Sequence, residues 1–284
     1  MTPQQYLEKH FINVYLEDAV TQLLEHKDET QKVNVYNFMA DYFQSVKNGK
    51  HTLFRSYSYV SATPHNRASM VQTFGSWLRR VATNGELLSI AEYHSLLKLI
   101  CPDFPLSIVK KAARIVLMDD ATDCSMSFTD FLYAFQLQFV YDEFLTTTKD
   151  IFLGFHDKGR RNSTGSITSR PVVVPTSETE KSEEDTKPQE STSLNLPIDS
   201  SSFLSTLLSV VEKYMNDNTF SVERIPPISV LEKILKNSEK ITYYEFLLAL
   251  TKSDDLNKSI GRLLPRMEFA KIHNLAGTET EVVR

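Results

Sequence analysis

Val35-Tyr36-Asn37-Phe38-Met39-Ala40-Asp41-Tyr42-Phe43-Gln44-Ser45-Val46 is the stretch on which the fold class turns. Its apolar residues fall at 35, 38, 39, 42, 43 and 46, a 3–4 spacing without a miss, which places them on one face of an α-helix. Gly49 follows as a C-cap, where a residue free to take positive φ ends a helix at low cost. Working upstream, Leu16, Ala19, Val20, Leu23 and Leu24 repeat the same face, and the polar run His26 to Lys32 joins the two. Residues 12–47 therefore read as helix, short connection, helix. Downstream, Thr63-Pro64 is a helix start, with Thr as N-cap and Pro in the first turn. That helix presents Met70, Val71, Phe74, Trp77 and Leu78. Further helices are predicted over 90–101, 106–118, 127–153, 202–216, 227–236 and 242–252. Thr52 to Val60 alternates weakly and predicts a short strand or an extended crossing. The fold class is mainly α.

The chain has 284 residues, 41% hydrophobic and 24% charged, with a net charge of −5. Only 8 glycines occur, well under the usual ~7%. That scarcity argues against glycine-rich phosphate loops and most nucleotide-binding α/β folds. The acidic balance does not support a nucleic-acid partner. Cys101 and Cys124 cannot build a disulfide framework or a four-cysteine zinc site. No stretch has the length and apolarity of a membrane span, and MTPQQYLEKH is not a secretory signal. The expectation is a reducing, cytoplasmic or cytoskeletal compartment with no membrane partner.

Composition changes abruptly over 156–202. This stretch lacks aromatics and is crowded with Ser, Thr, Glu, Lys and Pro. So little apolar surface cannot offset the entropy of ordering, and the segment is expected to be a disordered linker with a reach on the order of 35–40 Å. Its front is basic (Lys158, Arg160, Arg161, Arg170) and its back acidic; Val172-Val173-Val174-Pro175 is its apolar exception. Ser163, after Arg160-Arg161, and Ser182, before Glu183-Glu184-Asp185, fit short kinase patterns. The expected organisation is a helical hairpin over 1–50, a helical domain over 51–155, the linker, a second helical lobe over 203–265 and a flexible tail over 266–284.

The hairpin cannot bury both apolar faces within itself, because two helices enclose no core. It needs the rest of this chain, a second copy or a partner helix. Leu16, Val20, Leu23, Val35, Phe38, Met39, Tyr42 and Phe43 are the candidate partner-binding residues. The run resembles the docking module of the type II regulatory subunit of cAMP-dependent protein kinase, with Tyr42-Phe43 as its closing aromatic pair. That likeness implies a four-helix dimer with a groove for an amphipathic helix. The competing reading is a hairpin packed on its own domain.

A second pattern resembles the exit half of an EF-hand, I-x-F-x-E-F, in which an apolar residue makes a short β contact and an acid supplies the twelfth calcium-loop position. It occurs as Met126-Ser127-Phe128-Thr129-Asp130-Phe131, as Ile241-Thr242-Tyr243-Tyr244-Glu245-Phe246 and, more weakly, as Leu88-Ser89-Ile90-Ala91-Glu92-Tyr93. The units are expected to be degenerate. With Asp130 at position 12, Asp119 and Asp123 fall at 1 and 5, but Ala121 falls at 3 and Cys124 replaces the turn glycine. Glu245 and Glu92 place Ile234 and Val81 at position 1. No metal and no cofactor are expected, and the acids are read as helix caps.

No phosphate loop, dinucleotide fingerprint, nucleophile elbow or H-E-x-x-H zinc motif occurs. His65, in Thr63-Pro64-His65-Asn66-Arg67, reads as part of a surface helix start, and Cys101 as a buried thiol. The chain is expected not to be an enzyme.

Several longer runs resemble one family. They are Tyr15-Leu16-Glu17-Asp18-Ala19-Val20, Ala62-Thr63-Pro64-His65-Asn66-Arg67, Cys101-Pro102-Asp103-Phe104-Pro105-Leu106, Lys111 to Asp120, Phe131 to Phe139 and Val173-Val174-Pro175-Thr176-Ser177. These are similar to the centriolar satellite-associated tubulin polyglutamylase complex regulators. The likeness is strong over 6–145, thin in the linker and weaker over 203–260. The long polar C-terminal extension of vertebrate members is not matched, so no role of it is carried over. The resemblance implies a non-catalytic regulatory subunit of the tubulin polyglutamylase complex at centriolar satellites, the centrosome and microtubules. It implies other complex subunits as partners, among them a tubulin tyrosine ligase-like catalytic chain, together with centriolar satellite proteins. Tubulin itself has a weaker basis, since only Arg79-Arg80, Lys110-Lys111-Arg114 and the linker front offer clustered cations. The alternative function is a free-standing docking or calcium-sensor-like adaptor in cilia or kinase anchoring.

Overall fold

The computed structural model describes residues 2–29, 33–81, 87–118, 124–163, 193–216 and 224–269. The chain is mainly α. A short α1 (Pro3–Lys9) leads into the predicted hairpin, α2 (Ile12–Glu29) and α3 (Val35–Lys47). Asn34 caps α3 through its side chain, and Gly49 follows at φ 68°. A Cβ at Gly49 would also come within 3.0 Å of the Ser69 hydroxyl, so the turn needs glycine on both counts. The short strand or extended crossing expected over Thr52 to Val60 is instead a turn followed by α4 (Tyr57–Ala62). The turn is held by Phe54, at φ 57°, whose N–H donates to the Ile100 carbonyl (2.8 Å), and by the Tyr57 N–H on Asp103. Weak alternation there was a poor guide, because its tertiary partners set the backbone. Thr63-Pro64 opens α5 (Pro64–Val81) as predicted, with the Asn66 N–H on the Thr63 hydroxyl.

After β1 (Leu87–Leu88), α6 (Ile90–Lys98) and α7 (Leu106–Leu117), β2 (Met126–Ser127) leads into α8 (Phe128–Val140) and α9 (Asp142–Ser163). The single helix expected over 127–153 breaks at Tyr141, which leaves helical geometry at φ −114°. Helix α9 runs into the expected linker as far as Ser163, whose side chain lies outside the described residues. On the far side, β3 (Ile198–Asp199) and α10 (Ser200–Asn216) already belong to the fold. The expected linker is thus helical at its front as far as Ser163 and folded at its back, where Leu194 and Ile198 are buried. Ser182 and the Val172–Pro175 tract lie outside the described residues. The remaining elements are α11 (Ile228–Lys236), β4 (Lys240–Ile241), α12 (Tyr243–Thr251) and α13 (Asp254–Ile260).

Helix α8 organises the core. Every residue from Phe131 to Val140 is buried, Gln136 and Gln138 included, as expected of a helix that is apolar nearly all round. Phe131, Phe135 and Phe139 stack in a row with interplanar angles of 9° and 7°. They face one cluster with Phe74, Tyr93 and Phe104, while Ala134, Leu137 and Val140 face a second with Phe152, Phe203 and Phe246. Residues 203–260 therefore pack on the first helices through a shared element. The chain then folds back. Tyr133 donates to the Leu264 carbonyl, Arg266 pairs with Asp130, and Phe269, expected in a flexible tail, is buried against Phe128 and Tyr133.

The stretches that carry the I-x-F-x-E-F pattern meet in pairs. Leu88 lies opposite Met126, and Ile241 lies opposite Ile198. The aromatic five residues after each strand apolar also meets its counterpart: Tyr93 stacks on Phe131 at 3.8 Å, and Phe203 meets Phe246 edge-on at 5.4 Å. Ile198-Asp199-Ser200-Ser201-Ser202-Phe203 is a fourth copy that the acid-based pattern missed, since Ser202 stands where the acid was sought. Glu92 and Glu245 serve in caps, while the Asp130 carboxylate takes the Ser127 hydroxyl and Arg266. Ser89 with Glu92 and Thr242 with Glu245 form reciprocal capping boxes, and Ser127 caps the Asp130 N–H. Asp119 and Asp123 lie outside the described residues.

Candidate partner-binding face

The hairpin is seated on the body through polar groups. Asp18, on α2, accepts from the Tyr42 hydroxyl of α3 (2.7 Å) and from both terminal nitrogens of the Arg55 guanidinium. Arg55 in turn lies over the Tyr59 ring at 4.2 Å. The Tyr15 hydroxyl donates to the Asn66 side-chain oxygen (2.8 Å) and lies 2.8 Å from the Thr63 hydroxyl. Asn66 uses its own amide on the Tyr59 carbonyl. Fully buried Ala19 is the small residue that allows close approach.

Two histidines complete the seat. The His51 Nε2 donates to the Asn66 oxygen (2.8 Å), and the ring stacks on His65 at 5.3 Å. Burial holds His51 neutral and brings its pKa down to about 4. His65 is not the surface cap read from the sequence: it is half-buried, its Nε2 donates to the Val46 carbonyl, and its Nδ1 accepts from Arg262. Burial, helped by its partners Tyr59 and Asp18, pushes the Tyr42 phenol far above its ordinary range, so it remains a donor.

This arrangement inverts the usual logic of a surface helix, in which the apolar stripe meets the core. Here the seat is largely polar, and two apolar rows stay in solvent. Leu16, Val20 and Leu24 follow one another at i, i+4 and i+8 along α2, exposed by 43%, 48% and 56%. On α3, Val35 and Phe43 are exposed by 49% and 40%, with half-buried Met39 between them at the same spacing. The contacts of Asp18 with Tyr42 and of His26 with Phe38 (ring centroids 5.9 Å apart) make the two helices an antiparallel pair. Leu23 and Phe38 are half-buried between the surfaces. Tyr42 departs from the expected set: it is buried and spent on Asp18 and Tyr59, so it positions the hairpin and adds nothing to the exposed rows. Leu24 and Tyr36, the latter 88% exposed, extend the face beyond the residues chosen from the sequence. Leu24 was legible in the periodicity.

Among the described residues no group of three or more metal-ligating side chains comes together, and no helix is long and apolar enough to cross a membrane. Cys101 is buried, and burial together with Asp103 pushes its thiol up to about 12.

Residues 1–49, the hairpin with its lead-in, match the family model described as the CSTPP1 N-terminal domain. The zebrafish (Danio rerio) centriolar satellite-associated tubulin polyglutamylase complex regulator 1 is 40% identical over 263 residues, covering 93% of this chain and 75% of the relative. The chain belongs to this family. Its mouse (Mus musculus) and human (Homo sapiens) members are also 40% identical, over 259 and 260 residues, covering 91% of this chain and 73% of each relative. No solved structure matches the chain. The matched N-terminal domain coincides with the unit whose apolar rows are left uncovered.

Proposed function

We propose that the chain is a non-catalytic regulatory subunit of a tubulin polyglutamylase complex, and that it joins the complex by burying the α2–α3 rows against a helical face of another subunit. Its relatives carry the name of regulators of that complex and of centriolar satellite association, and the same complex and location are proposed for this chain, with a tubulin tyrosine ligase-like catalytic chain among the partners. The observation that supports docking is the hairpin's inversion, with polar groups inward and two apolar rows outward. Burying those six side chains would give roughly 25 cal/mol per Å² removed from water. Contiguous exposed apolar area of this kind marks an interaction site.

The test is affinity purification of the full chain from cells, wild type against Leu16→Glu/Val20→Glu/Phe43→Glu. The wild type should recover a ligase-like chain at near-equal stoichiometry and the variant should not, with its helical content and melting unchanged. Equal recovery by a folded variant refutes the docking face. A self-associating chain that captures amphipathic peptides and brings down no ligase-like chain would instead establish the free-standing adaptor.

A further inference from the structure

Gly261, at φ 70°, ends α13, and residues 262–269 then run back along α5 and α8 as a strap. Three of its side chains, spaced by three, enter the body. Leu263 lies against Gly75 of α5, where a Cβ would come within 3.3 Å of Leu263 and 3.2 Å of Leu132. Glycine inside a helix weakens it, and here it makes the slot for both leucines. Arg266 pairs with Asp130 and lies over the Tyr133 ring at 5.6 Å. Phe269 is buried against Phe128 and Tyr133. The strap backbone is held as well, since the Tyr133 hydroxyl and the Asn257 amide both donate to the Leu264 carbonyl (2.5 and 2.8 Å).

The near end of the strap leads to the hairpin. The Arg262 guanidinium donates to His65 Nδ1 (2.9 Å) and lies 3.4 Å from the Gln72 side-chain oxygen. A guanidinium only donates, so Nδ1 accepts and the ring proton sits on Nε2. Nε2 in turn donates to the Val46 carbonyl (2.8 Å), in the last turn of α3. The same carbonyl accepts from the Gly49 N–H (3.1 Å) and so closes the helix end. Arg262, His65 and Val46 thus form one relay with every bond pointing the same way, and each bond in such a chain strengthens the next.

We propose that the 262–269 strap is a latch on the α2–α3 hairpin. Seated, it fixes the His65 ring and, through it, the C-terminal end of α3; released, it frees both. Such a coupling is reciprocal. A partner that holds the hairpin in its seat also holds the strap down, and a polypeptide segment that takes the strap's place loosens the hairpin. The strap itself defines the segment that fits: an aliphatic, a cationic and an aromatic side chain at three-residue spacing. The use of the latch in partner capture rests on the docking face proposed above, whereas the coupling is a property of the chain alone and is measured without a partner.

The experiment is hydrogen exchange, read by peptide mass spectrometry, on the purified full chain. Arg266→Gln/Phe269→Ser releases the far end of the strap, and the strap amides should then exchange at open-chain rates. Amides over 46–50 include the Gly49 and Lys50 N–H groups bonded to the end of α3. They should exchange about three- to tenfold faster, the loss expected for one hydrogen bond from a charged donor that partly regains water. Arg262→Ala cuts the relay and leaves the far end in place, and it should accelerate 46–50 by the same factor. All three substitutions together should add nothing further at 46–50, because both routes remove the same bond. Helices α10 and α11, which belong to the other aromatic cluster, should not change. Tyr133→Phe/Arg266→Gln keeps every core ring and is the milder second variant; it should open the strap in part and 46–50 in proportion. Unchanged exchange at 46–50 while the strap opens overturns the proposal. So does an additive effect of the combined variant, equal acceleration throughout α8, or a strap that stays protected in both release variants. If Leu16→Glu/Val20→Glu/Phe43→Glu leaves partner recovery intact while the coupling is measured, the docking face fails and the latch stands.

Discussion

Replacing Asp18 by alanine should free the hairpin from its seat while leaving the core intact. The Asp18 side chain is only 9% exposed, and it receives the Tyr42 hydroxyl, two Arg55 nitrogens and the Gln22 amide. A hydrogen bond to a charged group contributes about 1.5–3 kcal/mol. The sum overstates the loss, because Arg55 is 24% exposed and regains water, and Tyr42 retains the Tyr59 hydroxyl at 3.2 Å. A net weakening of about 2–4 kcal/mol follows, or on the order of 30- to 700-fold in the seating equilibrium. Hydrogen exchange read by peptide mass spectrometry separates the regions. Amides of α2 and α3 should exchange faster by about that factor, and those of α8 should not change, since Tyr42, Arg55 and Tyr59 belong to neither core cluster. Tyr42→Phe should give the same pattern at about 1 kcal/mol. Unchanged exchange in α2 and α3 would refute the polar seat. Equal acceleration in α8 would show that the hairpin and core unfold as one unit.

Two further outcomes are expected. His51 is held neutral with a pKa near 4, below its ordinary 6.5, so the seat's stability is full above pH 6.5 and declines as pH falls toward 4, where the released ring takes a proton and the seated one does not. The span corresponds to about 3 kcal/mol; exchange of α2–α3 should accelerate across it, and His51→Gln should flatten the dependence. Calcium should leave the melting temperature unchanged, because Glu92 and Glu245 are engaged in capping and Asp130 with Arg266, whereas Thr242→Ala should cost about 1 kcal/mol of stability. A calcium-dependent rise in melting temperature would show that a metal loop survives.

Helix starts were legible wherever the signal was local. Thr63-Pro64, Ser89 with Glu92, and Thr242 with Glu245 each satisfy backbone N–H groups within four residues, so the chain states them directly. The acid of each exit half could be read as a calcium ligand or as a cap; Glu92 and Glu245 lie in capping boxes, and Asp130 pairs with Arg266. The break at Tyr141 carries no Gly or Pro. The burial of Leu194 and Ile198 at the back of the 156–202 segment rests on partners far away in the chain. For the docking face, periodicity identified the apolar stripes but could not say which way they point.

The sequence by itself determined that this protein is helical, where most helices begin, that an acidic chain offers apolar faces, and which family it resembles. Those properties follow from backbone hydrogen bonding and from spacing within a few residues. Only the tertiary structure decided that α8 is enclosed on all sides, that Ile198 meets Ile241, and that Tyr42 turns inward to Asp18 while Leu16, Val20 and Leu24 face water. A helix wheel fixes which residues share a face; what that face meets depends on long-range partners such as Arg55, Tyr59 and Asn66, which hold the polar side of the hairpin and leave the apolar rows uncovered.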